Sequence, residues 1–105
     1  MESKYCIITT ACNDKEISEN ITKSLLQKSL ISCAQVSNIN SSYHWKDIVK
    51  NSDEILLTMV SKKSLYKEVE QEILRLHNYE CPEIIAVDIT EGHIKYLNWI
   101  DEETI

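Results

Sequence analysis

Short apolar runs alternate along this chain with stretches whose apolar residues fall at helical spacing. Lys4 to Ala11 (KYCIITTA) is a brief β-branched run, the pattern of a buried strand. The polar Cys12-Asn13-Asp14 follows, with Asn13 or Asp14 able to cap a helix and Glu16 in its first turn. Ile17, Ile21, Leu25, Leu26 and Leu30 then predict an amphipathic helix over 14–30. From Ile31 to Trp45 the pattern is strand-like, and polar Lys46 to Asp53 is expected to be a hairpin connection. Glu54 to Val60 (EILLTMV) is a third strand, and Leu65, Val69, Ile73 and Leu76 mark a second helix over 62–77. Ile84 to Ile89 reads as a fourth strand. A short closing helix carries Ile94, Leu97 and Ile100.

The order β-α-β-β-α-β plus a short C-terminal helix is an α+β, ferredoxin-like sandwich. The single proline, Pro82, pushes Cys81 out of the helical region and opens the last strand. The single glycine, Gly92, is expected to supply a left-handed turn before the closing helix. Two helices cover one face of a four-stranded sheet, and the other face should then alternate apolar with polar residues. Residues 5–8, 55–57 and 84–87 are instead almost continuously apolar. The second face therefore needs a cover, and another copy of the chain is the simplest one.

With 105 residues the chain suits a single domain, 1–105. Its net charge of −6 argues against a nucleic-acid partner, because phosphate binding draws on clustered Lys and Arg. No apolar run reaches the roughly 18 residues of a membrane span. The start MESKYCIITTAC lacks the basic and apolar regions of a secretory signal, so a cytoplasmic location is expected. Cys6, Cys12, Cys33 and Cys81 form no C-x-x-C pair and read as free thiols, most of them packed as small apolar groups. One glycine rules out a glycine-rich phosphate loop, and no Cys–His–acid arrangement is visible, so no enzyme is expected.

Four segments resemble the CutA divalent-cation-tolerance family in order and spacing. They are Thr9–Cys33, the aromatic Tyr43-His44-Trp45-Lys46, the stretch His77-Asn78-Tyr79-Glu80-Cys81-Pro82-Glu83, and Gly92 followed by Tyr96-Leu97-Asn98-Trp99. The resemblance implies a long hairpin between the second and third strands, a homotrimer built like PII signalling proteins, and a role in tolerance of divalent ions, copper among them. It also implies two candidate sites.

In copper-binding relatives the metal is held by a cysteine at the end of the first strand and a histidine pair. Thr9 or Thr10 and Leu76 stand at ligand positions here, and Asn78 replaces a proline. His77 remains, with Cys12 as a stand-in sulfur ligand for copper or another divalent cation; no cofactor is otherwise indicated. The plainer reading of His77 is a helix C-terminal group. The second site is a groove between subunits for an unidentified small molecule, lined by Tyr43, Trp45, His77, Tyr79, Glu80 and Glu83. The same aromatics could equally weld the trimer. Here His44 replaces a glutamate, Asp47 a glycine, and Val60-Ser61 a Lys-Thr, for which Lys62 or Lys63 could compensate.

Overall fold

Backbone pairing joins the four apolar runs into one antiparallel sheet. The computed structural model describes residues 3–105; Met1 and Glu2, part of the segment read for a signal, lie outside it. The elements are β1 (Tyr5–Cys12), α1 (Lys15–Gln27), β2 (Cys33–Trp45), β3 (Ile48–Lys62), α2 (Tyr66–Leu76, entered by a 3-10 turn at Lys63–Leu65), β4 (Ile84–Asp88) and α3 (Ile94–Glu103). The sheet order is β2-β3-β1-β4, so the first strand is central. This is the ferredoxin-like arrangement, with α1 and α2 on one face.

Alternation along β1 sets the core. Cys6 and Ile8 are fully buried with Leu57 and Met59 of β3, beneath Ile21 and Leu25 of α1 and Val69 and Ile73 of α2. Asp14 caps α1, its carboxylate accepting the N–H groups of Glu16 at 2.8 Å and Ile17 at 3.2 Å. The helix predicted over 14–30 stops at Gln27. Ser29 turns left-handed (φ 55°) while the N–H of Leu30 reaches Leu25 O and that of Ser29 reaches Leu26 O. This is a Schellman ending without the usual glycine. The two helices are joined by the nearly buried Glu72 carboxylate. It accepts from Arg75 in a bidentate pair, from Lys28 at 2.8 Å and from the Ser24 hydroxyl.

The connection expected over Lys46–Asp53 is a turn only at Lys46 and Asp47; Ile48 to Asp53 belong to β3. Both turn residues have positive φ (49° and 69°), the requirement of a two-residue type I′ hairpin. Pairing of β1 with β3 ends at Cys12↔Ile55, so residues 39–54 run on as a two-stranded ribbon. One face of that ribbon carries a polar ladder. Asn40 donates to Asn51 and Asp53, and Asn51 donates back to Asn40 and on to Ser42, all at 2.7–3.0 Å. Such a ladder has no apolar alternation to betray it.

Part of the second sheet face is covered from within the chain, where the sequence reading assigned all of it to a second copy. α3 lies across it with Ile100 fully buried. Asp101 accepts from the Tyr5 hydroxyl at 2.6 Å and pairs with Lys4 at 3.0 Å and Lys62 at 3.9 Å. Ile85 and Val87, in register with Thr9 and Ile7 on that face, stay more than half exposed. Gly92 does not take the left-handed conformation expected of it. A Cβ there would meet Leu97 Cδ2 at 2.9 Å, so a larger residue would turn the Leu97 side chain aside.

Candidate functional site

The loop from His77 to Glu83 is anchored to the sheet by side chains of its own. His77 caps the C-terminus of α2, its N–H reaching Ile73 O at 2.8 Å. Its ring fixes two backbone groups: Nδ1 accepts from the N–H of Tyr79 at 3.1 Å, and Nε2 lies 2.8 Å from the carbonyl of Ala11. Because a backbone N–H can only donate, Nδ1 is the unprotonated nitrogen and Nε2–H donates to Ala11. The Tyr79 ring packs on the imidazole at 4.7 Å between centroids. Farther along, the Thr9 hydroxyl donates to Glu83 Oε2 at 3.0 Å.

This arrangement does not suit the metal site that the resemblance implied. Both imidazole nitrogens are committed to backbone partners, leaving no lone pair for an ion. Cys12, the last residue of β1, is fully buried with its thiol directed at Asp14 O at 3.5 Å. Burial pushes that thiol above its ordinary pKa, against the thiolate a metal needs. Among the described residues no three His, Cys, Asp or Glu side chains converge as a ligand set.

The other predicted residues come together. Between the ribbon and the 78–83 loop lies a cleft of about 960 Å³, lined by Tyr43, Trp45, Tyr79, Glu80 and Glu83 among others. His77 is not in its lining; it holds the loop from behind. One chain supplies both walls. The ribbon wall projects Tyr43 and Trp45 from the face opposite the polar ladder, because both alternate with Ser42 and His44. Tyr43 Oη lies 3.2 Å from Ser52 Oγ.

Across the cleft, Tyr79 donates its hydroxyl to Glu54 Oε2 at 2.6 Å. Burial first, and that carboxylate second, push the Tyr79 phenol well above its ordinary pKa, so it stays a donor. Lys46 closes the tip, 3.6 Å from Glu80 Oε2 and 5.4 Å above the Trp45 ring.

Sequence reasoning missed Glu54, Lys46 and Lys50. Glu54 opens a dense apolar run, a position where a carboxylate within a strand calls for a partner. Lys62 and Lys63, offered as replacements for the family lysine, do not line this cleft. Lys62 ends β3 and Lys63 opens the 3-10 turn after it, and they pair with Asp101 and Asp88 respectively.

Comparison with known proteins agrees with this architecture. The family model described as CutA1 divalent ion tolerance protein matches residues 6–103. The divalent-cation tolerance protein CutA of Pyrococcus horikoshii is 32% identical over 98 residues, spanning 93% of this chain and 96% of that one. The CutA1 crystal structure from Shewanella sp. SIB1 superposes with a TM-score of 0.94 at 30% identity, over 99% of this chain and 98% of that one. The CutA1 structure from Oryza sativa gives 0.93 at 27% identity, over 99% and 96%. With nearly the whole length matched in sequence and in fold, the chain belongs to the CutA1 divalent ion tolerance family.

Proposed function

We propose that the protein works as a cytoplasmic homotrimer in the response to divalent cations, copper among them, in a regulatory or scaffolding role and without catalysis. The observation that carries the assembly is uncovered apolar surface on two projecting elements. Ile48 and Val49 near the ribbon tip are 55% and 72% exposed, and Ile85 and Val87 on edge strand β4 are 52% and 57% exposed. A two-stranded ribbon is marginal in water by itself, so it needs a surface to lie on. Neighbouring copies supply one with closed symmetry. The cation role is supported by family membership and by the names of relatives such as the Pyrococcus horikoshii protein. Four free thiols fit a reducing compartment.

Light scattering at micromolar concentration tests the assembly. A mass three times the 12.2 kDa chain is expected, and a monomer would sink the trimer. Growth under copper stress, with and without the protein, tests the role. Equal tolerance in both would remove it.

A second reading, a PII-like sensor, is favoured by the aromatic cleft. In it a small molecule binds between ribbon and loop, with a neighbouring copy closing the open side. Ligand-induced melting shifts that survive Trp45→Ala would count against it.

A further inference from the structure

The hairpin tip places a charge of its own against the cleft. Lys46 Nζ stands over the Trp45 ring at 5.4 Å and beside Glu80 Oε2 at 3.6 Å, so a single ammonium bridges the two walls. A ring face and a carboxylate together are a recognition site for organic cations. The chain already fills it with one. Within a single chain both members of the ion pair are about 70% exposed (70% and 72%). Exposed pairs of this kind are weak, so the contact exchanges readily for an equivalent one from outside.

The remaining lining has the same preference. Three carboxylates, of Glu54, Glu80 and Glu83, face Lys50 as the cation of the lining. One oxygen of Glu54 and one of Glu83 accept hydroxyl hydrogen bonds, from Tyr79 and Thr9, which fix these carboxylates toward the cleft wall. Ring faces come from Tyr43 and Trp45 on one side and Tyr79 on the other. An anionic ligand would meet Glu80 and Glu83 on the loop wall and Glu54 at the base of the ribbon against Lys50, whereas a cation meets complementary charge and π faces. At about 960 Å³ the space admits a ligand far larger than a metal ion.

We infer that the cleft binds small organic cations, primary amines and guanidinium compounds, whose charged end takes the place of Lys46 between Trp45 and Glu80. The inference rests on the small-molecule reading of the cleft and names its ligand class. A second positive charge meets Glu54 and Glu83 deeper along the walls, so diamines bind better than monoamines.

The test titrates putrescine, its neutral analogue 1,4-butanediol, and ATP into the protein at low salt. Calorimetry is read beside the Trp45 indole N–H resonance. Lys46→Asn removes the internal ammonium while keeping a residue suited to the left-handed turn. Glu80→Gln removes the exposed carboxylate. Putrescine is expected to bind and butanediol not. Lys46→Asn should bind putrescine about two- to five-fold more tightly, and Glu80→Gln about two- to five-fold more weakly. Raising salt to about 0.15 M should weaken binding.

No putrescine binding at ~10 mM overturns the inference. So does an affinity that Glu80→Gln leaves unchanged or that Lys46→Asn fails to raise. ATP binding that moves the Trp45 resonance, with putrescine silent, would keep the cleft as a ligand site and discard the cation class. Silence of all three probes at Trp45 would remove both.

Discussion

The hydroxyl of Tyr79 donates to Glu54 at 2.6 Å, tying the loop before β4 to β3 one residue beyond the point where β1 stops pairing. The contact sets the spacing of the cleft walls. Tyr79→Phe should keep the ring packing on His77 and lose this bond. A cost of about 1–2 kcal/mol is expected, since the acceptor is a carboxylate. Faster hydrogen exchange over residues 78–81 would check it, with the α1 and α2 amides unchanged. Unaltered exchange in the loop would mean that the bond does not hold it.

His77 serves the backbone on both sides of its ring, so its removal should be felt in stability. His77→Ala leaves the Ala11 carbonyl and the Tyr79 N–H without their partner. Loss of about 1–3 kcal/mol in chemical denaturation is expected. Cu(II) and Zn(II) affinities by calorimetry should not change. Tight binding that disappears with His77 would contradict the hydrogen-bond assignment.

Three of the described residues other than glycine, Ser29, Lys46 and Asp47, occupy left-handed positions, and each costs stability. Asp47→Gly at the hairpin tip and Ser29→Gly after α1 should each raise stability by about 0.5–1 kcal/mol, offset in part by glycine's freedom in the unfolded chain. Thermal melts of the two variants check this. A fall at either site would show that the native side chain makes a compensating contact.

Glu72 gives the fold an acid limb. Hydrogen bonds from Arg75, then Lys28 and Ser24, hold its carboxyl well below the ordinary carboxylate range, against the opposing effect of burial. A folded pKa depressed below the unfolded value of about 4.3 contributes stability that is fully present above that value. The contribution is lost as pH falls through and below 4.3 toward the folded pKa. Glu72→Gln should therefore be less stable by about 1–3 kcal/mol near neutrality. The gap to the unsubstituted protein should narrow in denaturation curves taken at decreasing pH. A gap constant from pH 7 to about 2 would exclude the linkage.

Elements that bury a face inside the chain were legible in the sequence, because burial writes periodicity. Ile21, Leu25, Val69 and Ile73 announce their helices, and Cys6 to Ile8 announce the central strand. The end of α1 was not legible, since Ser29 does the work of a glycine and Leu30 continues the helical spacing past the turn. Asn51 to Asp53 read as a loop because their cross-strand partners are the polar Ser42, Ser41 and Asn40. The resemblance grouped Tyr43, Trp45, Tyr79, Glu80 and Glu83 for a groove between subunits, and the single chain already brings these five around one cleft. Their arrangement was hidden: Lys46 reaches Glu80 only because two left-handed residues fold the hairpin back on itself. His77 holds the carbonyl of Ala11, the residue before Cys12, while the Cys12 thiol turns to Asp14.

β1 is the earliest strand to be synthesised and the one that needs both of its neighbours, β3 and β4, from later in the chain. At ~5–20 residues per second, roughly 4–15 s separate completion of β1 from that of β4 on the ribosome. Its edge toward β3 has no native partner until Lys62 is made and its edge toward β4 none until the end of that interval, and an unpaired edge invites pairing with the wrong chain. α1 is the sole native element able to shield Cys6 and Ile8 early, so its helix cap at Asp14 bears on the yield of folded protein as well as on its final stability. Polysomes are crowded with identical nascent chains, and there the central strand is the segment most exposed to intermolecular error.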